Sequence, residues 1–216
     1  MCYSAESSIT SFIIGGSACS YLLLSNNNYN KHIGLFFFSV LLIQLVEFFL
    51  WIDQDCGWLN NMASRSINFV LTLQIYCLFL GAYLFNTIYI SKNTLKILIF
   101  ISTLFLLFNL YPFFETSNRC SRPYTDNSLK WDKFEKTDNL YNKIYNVSQY
   151  FYLLSFLIIP LLFKKIWIGL LILILSFTSF FTTRYANIES YTSRWCYFSA
   201  FIPVLFVFLD FFKIKY

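Results

Sequence analysis

Charge is scarce in this chain. Only 12% of its 216 residues are Asp, Glu, Lys or Arg, where a soluble domain carries about 25%. Histidine occurs once, at His32. A single imidazole excludes multi-histidine zinc centres and a bis-histidine haem within one chain. The string GGSACS at 15–20 sets a serine after two glycines, but no later apolar stretch holds a histidine. An intramembrane Ser–His protease is thereby disfavoured. The last apolar stretch, 192–212, has no lysine, so a retinal Schiff base has no attachment point there. A glycine-rich phosphate loop and an acidic magnesium motif are both missing. No cofactor, no metal site and no catalytic residue set is expected. An enzyme working at one leaflet is the least favoured functional class, because no acid, base and nucleophile set is visible.

Apolar residues fill the space that charge leaves. They make up 57% of the sequence, with 27 phenylalanines. One soluble core of this size could not enclose them. A membrane helix needs about 20 mostly apolar residues at 1.5 Å rise each. Seven windows meet that length: roughly 5–25, 33–52, 64–87, 94–113, 146–163, 166–184 and 192–212. The expected fold is all-α: a polytopic transmembrane helical bundle of seven spans, forming a single domain over 1–216. Six spans is the alternative, because only Lys164 and Lys165 separate the fifth window from the sixth. The N-terminus, MCYSAESSITSF, lacks the basic n-region of a cleavable signal peptide, so the first window is expected to be retained.

Local signals mark the ends of the spans. Ser4 is expected to cap the first helix, with Glu6 in its first turn. Ser91 offers a cap before the fourth. SNNNYNKH at 25–32 reads as a polar turn, with His32 at the interface. The stretch at about 114–145 is polar, contains Pro123 and is expected to be a surface loop with some helix near 128–143. Asn146-Val147-Ser148 is a glycosylation sequon abutting the fifth span. Gly15 and Gly16, with Ser17 and Ser20, read as a close helix-packing site. Asp210 is expected to reach the interface near Lys213.

Charge sets the orientation. With seven spans, one side carries Lys31, Lys92, Lys96, Lys164, Lys165, Lys213 and Lys215, with Asp210 as the nearby acid. The opposite side carries Glu6, Asp53, Asp55, Glu115, Asp126, Asp132, Glu135, Asp138 and Glu189, and all five arginines; its long loop is basic as well as acidic, with Lys130, Lys133, Lys136 and Lys143, so the short loops carry the argument. Lys and Arg concentrate in short cytoplasmic loops. The N-terminus is therefore expected outside or lumenal, and the C-terminus in the cytoplasm. Cys2, Cys56, Cys120 and Cys196 all fall on the outer side, where an oxidising compartment would allow two disulfides in any of three connectivities. The basic residues flank apolar segments and form no clustered face, so the lipid bilayer, not nucleic acid, is the expected partner.

Polar residues within the spans gather toward the outer ends. Glu47 stands about one and a half turns inside the second span, in QLVEFFLWIDQDC. An ionisable group at that depth is costly and faces the bundle interior. Gln44, Glu47, Trp51 and Gln54 share one helical face. Arg65, Asn68, Thr72 and Tyr76 line a stripe on the third span. The two helices are expected to run antiparallel, with Glu47 level with Arg65 or Asn68. Two functional readings follow. One is a transporter or channel for a small solute or ion, with Glu47 as the charged ligand and Gln44, Arg65, Asn68 and Thr72 around it. Because the inner halves of the spans are apolar, a path through it would need a conformational change or a homo-oligomer. The other is a structural or interaction protein of a viral or cellular membrane, with the cluster fixing helix packing.

The opening MCYSAESS, with EFFLWIDQDCG at 47–57 and SRWCYF at 193–198, resembles a family of uncharacterised multi-pass membrane proteins of large DNA viruses and some bacteria that begin Met-Cys-x-Ser. The likeness covers three short patches. It implies the same helical architecture and a grouping of Cys2, Cys56 and Cys196, and it carries no activity.

Overall fold

The computed structural model describes residues 4–114, 116, 118–124, 128–132, 139–186 and 191–212. Its helices are α1 (Ala5–Leu24), α2 (Asn28–Ile52), α3 (Trp58–Phe85), α4 (Lys92–Phe108), α5 (Asn139–Leu161), α6 (Ile166–Ala186), α7 (Tyr191–Ser199) and α8 (Ile202–Phe211). A 3-10 turn at Tyr111–Phe114 follows α4, and a small hairpin pairs β1 (Arg122–Pro123) with β2 (Leu129–Lys130). Among the described residues, seven segments are long and apolar enough to cross a bilayer, the last running over Ser193–Phe211. The protein is thus an all-helical, multi-pass membrane bundle. Lys164 and Lys165 do separate two spans, α5 and α6, in a tight hairpin.

Ser4 and Ser91 cap as expected. The Ser4 hydroxyl accepts from the Ser7 amide at 3.2 Å and Ser7 returns the bond, a reciprocal box that satisfies two otherwise orphaned donors. Ser91 accepts from the Thr94 amide at 3.1 Å. α2 is the hub of the bundle. It packs on α1, α3, α7 and α8, and α5 closes the ring between α3 and α6. Burial follows that arrangement, with Phe37, Leu41, Ile43 and Leu50 of α2 fully enclosed. α4 sits at the edge against α3 and presents Ile97, Phe100, Leu104 and Leu107 outward, at a spacing that makes one lipid-facing stripe.

Several boundaries differ from the sequence expectation. α2 begins at Asn28, so the polar turn shrinks to 25–27, with the Asn27 side chain capping Tyr29 at 2.9 Å. His32 is enclosed within the bundle. It is 0% exposed, bonded to Thr87 Oγ1 at 2.6 Å and the Leu78 carbonyl at 2.9 Å, and stacked on Phe163. Asp210 accepts from Tyr21 at 3.1 Å and from buried Asn30 at 2.9 Å; Lys213 lies outside the described residues. Residues 128–132 form a strand and its flanks, not helix, and the sequon Asn146 falls inside α5. The seventh span is broken. α7 ends at Ser199 and α8 restarts at Ile202, because Pro203 has no N–H to return to the Ser199 carbonyl. Short i→i+3 bonds from Ala200 and Phe201 bridge the gap.

Of the glycine pair, one position is structural. A β-carbon at Gly15 would lie 2.6 Å from the Ala200 carbonyl and from Leu41, whereas one at Gly16 would meet nothing within 4 Å. Close approach of α1 to the break in the seventh span therefore requires Gly15. Gly15→Ala should destabilise the protein by about 1–3 kcal/mol through overpacking. Gly16→Ala should leave it unchanged or slightly more stable. Thermal unfolding of both variants in detergent checks the difference.

Candidate functional site

The polar cluster lies where α2 ends, α3 begins and the segment after α4 folds back. Asp53, just past α2, turns the chain. Its carboxylate accepts the Asn60 amide at 3.0 Å and the Gly57 amide at 2.9 Å, so it satisfies the first turn of α3 from outside the helix. Those bonds, Asn60 first and then Gly57, hold the Asp53 pKa below its ordinary value. Cys56 takes the left-handed backbone conformation, φ 62°, on the way into α3.

Asn60 then clasps the returning segment. It is 0% exposed. Its amide nitrogen donates to the Asp53 carbonyl at 2.8 Å and the Ser121 carbonyl at 2.9 Å, and its oxygen accepts from the Ser121 amide at 3.0 Å. Ser64, one turn on, meets the Ser121 hydroxyl at 2.8 Å. The Asp132 amide donates to that same hydroxyl, and Asp132 accepts from the Cys120 amide, each at 3.0 Å. A disulfide joins Cys56 to Cys120. Residues 118–124 and 128–132 are thereby fastened across the α2–α3 turn as a cap. Of the other two outer cysteines, Cys196 is a thiol buried in the bundle, and Cys2 lies outside the described residues.

The cap ends in two apolar plugs. Leu129 and Trp131 alternate with exposed Lys130 and bury against Ile43, Val46, Leu50, Ile67 and Cys196. Trp131 reaches the buried carboxylate: its indole Nε1 donates to Glu47 Oε1 at 3.2 Å. Glu47 and Gln44 are both 0% exposed. The Gln44 oxygen accepts from Ser11 of α1 at 3.0 Å. Trp51 is half-buried on the face of Gln44 and Glu47, but Gln54 lies past the end of α2, exposed in the turn, and does not continue that helical face.

The α3 stripe has partners on another side. Arg65 donates through Nε to Asn61 at 2.9 Å and through Nη1 to the Pro112 carbonyl at 2.6 Å. The Thr72 hydroxyl donates to the Asn68 carbonyl at 2.9 Å and accepts from the Asn109 side chain at 3.0 Å. Gln44 and Glu47 thus engage α1 and the cap, while Arg65 and Thr72 fasten the end of α4 and the 3-10 turn. Deeper in the bundle a cavity of about 10 Å³, the size of one water, is lined by Gln74, Tyr152, Trp195, Cys196 and Ser199 among others. The Tyr152 hydroxyl donates to Gln74 at 2.8 Å beside it.

The sequence pointed to Glu47, Gln44, Arg65, Asn68 and Thr72, of which Asn68 contributes its backbone carbonyl to Thr72; it did not point to Trp131, Asn60, Ser121 or Asn109. The Leu129-Lys130-Trp131 alternation was the available signal for the plug. The cap clasp has no local signature, since Asn60 and Ser121 are 61 residues apart. Comparison with protein-family models, curated proteins and solved structures finds no match for this chain.

Two outcomes are expected. Trp131→Phe keeps the plug but removes the donor to Glu47, and should cost about 1–3 kcal/mol. A double-mutant cycle with Glu47→Gln in thermal unfolding should show coupling between the two sites. For Asp53 the folded pKa is depressed, so its stabilisation is present above the ordinary value of 3.8 and lost as pH falls through the lower folded value. Asp53→Asn should therefore lower stability at neutral pH and flatten the acid limb of the unfolding profile below pH 3.8.

Proposed function

We propose that this chain is a membrane structural or interaction protein whose buried Glu47 fixes an extramembrane cap onto a seven-span bundle. The closure of Glu47 carries the reading. Its side chain is 0% exposed, it lies under Trp131, and the nearby cavity has room for about one water and not for a solute. An intramembrane carboxyl that meets a plug from a disulfide-bonded segment acts as a clamp that specifies packing.

The capped end is the exoplasmic or lumenal one in this reading. A disulfide belongs in an oxidising compartment, and Cys56–Cys120 lies at the end opposite the lysine-bearing turns. The N-terminus then faces outward and the C-terminus the cytoplasm. The resemblance at MCYSAESS and SRWCYF fits a viral or cellular membrane as the host.

A second reading, carriage of a proton or small cation through a homo-oligomer or a conformational change, is favoured by one observation. The seventh span is discontinuous at 200–201, beside Gly15 of α1, and broken spans are where transporters place their sites. Glu47, with Gln44, Arg65, Asn68 and Thr72, would be its ligand set.

Reconstituted vesicles separate the two. The structural reading expects no proton or monovalent-cation flux above empty vesicles, and a melting temperature several degrees lower for Glu47→Gln and Glu47→Leu. Flux in the wild type that Glu47→Gln abolishes without changing stability would replace it with the carrier reading.

A further inference from the structure

Arg122 bears on the disulfide in a way that the clamp does not require. It is exposed, and its Nε–H is directed at both sulfurs, 3.4 Å from Cys56 Sγ and 3.3 Å from Cys120 Sγ. The two cysteines are half-buried, so the bond is within reach of a solute in water. Two acids of the turn and cap have backbone partners of their own: Asp53 accepts the Gly57 and Asn60 amides, and Asp132 accepts the Cys120 amide. Cys56 also immediately precedes the amino-terminal cap of α3, a 28-residue helix. A guanidinium and a helix N-terminus both stabilise a thiolate, and a disulfide exchanges faster when its leaving sulfur departs as a stabilised thiolate.

We infer that Cys56–Cys120 is an exchange site for a small-molecule dithiol, with Arg122 positioned to receive the departing thiolate, and that its opening loosens the cap over Glu47. The incoming thiolate attacks Cys120 Sγ. A new sulfur–sulfur bond forms, the Cys120–Cys56 bond breaks, and the electron pair leaves on Cys56 beside Arg122. The second thiol of the reagent then displaces Cys120 and closes the reagent's own disulfide. Two electrons pass from the dithiol to the protein, and both cysteines finish as thiols after protonation. With the cross-link open, non-covalent contacts remain to hold residues 118–124 and 128–132, among them the Ser121 clasp, the Arg119 amide on Asn61 and the Leu129 and Trp131 plugs. The inference is independent of whether Glu47 clamps or carries.

The test uses the full chain in nanodiscs with dithiothreitol as the probe at pH 7, and reads opening by a maleimide–polymer shift on a gel. The native disulfide should open at least as fast as the same bond in detergent-unfolded protein. Arg122→Gln should slow opening roughly fivefold, with Arg122→Lys in between. Equal rates for wild type and Arg122→Gln, or a native bond slower than the unfolded one, overturn the exchange site. If Arg122→Gln fails to fold, as judged by gel filtration, the native-against-unfolded comparison and Arg122→Lys decide. Hydrogen exchange after reduction should rise about tenfold or more across 118–132 while α2 and α3 stay protected. Unchanged protection of 118–132 overturns the link to the cap.

Discussion

Hydrocarbon supplies no hydrogen-bonding partner, so every polar group carried into the bundle must find one within the protein. That constraint organises both ends of this molecule. At one end it brings Trp131 onto Glu47, Ser11 onto Gln44 and the Pro112 carbonyl onto Arg65. At the other it draws Asn30 and Tyr21 to Asp210, and His32 to Thr87 and Leu78. Between these two polar layers α2 is enclosed by neighbours on several sides, and its aromatic and aliphatic residues form the continuous centre of the core. The polar layers set which helices meet, and the apolar middle supplies the contact area.

The spans were legible because a bilayer demands a signal some 20 residues long, which survives any local ambiguity. The caps at Ser4 and Ser91 were legible because capping is decided within four residues. Where partners are distant in sequence the reading faltered. Asn30 and His32 sit in a run that looks like a loop, yet both are buried, because Asp210 and Thr87 arrive from 180 and 55 residues away. Pro203 was visible, but an apolar window averages over it, so the break in the seventh span stayed hidden in a hydropathy reading.

The site divides the same way. A lone carboxyl in an apolar run announces itself, and Glu47 is as enclosed as that pattern requires. What covers it was not readable, since Trp131 lies 84 residues on, in a stretch whose composition is polar. The cysteines placed on one face left three pairings open. Two disulfides do not form among the described residues: Cys196 stays a buried thiol, and the bond that does form depends on Asn60 and Ser64 gripping Ser121, which sets Cys120 with its Cα 5.3 Å from that of Cys56.

Stiffness is unevenly distributed as a result. The α2–α3 turn, the hairpin and the 3-10 turn are cross-braced into a collar, by one covalent link and by side-chain bonds that reach from Asn60, Ser64 and Arg65. The seventh span has no cross-link of that kind at Ala200 and Phe201, where tighter i→i+3 bonds join α7 to α8. The joint is held from both sides instead, by Gly15 packed against the Ala200 carbonyl and by Asp210 of α8 bonded to Tyr21 and Asn30, so α1 and α2 splint the break that the proline imposes.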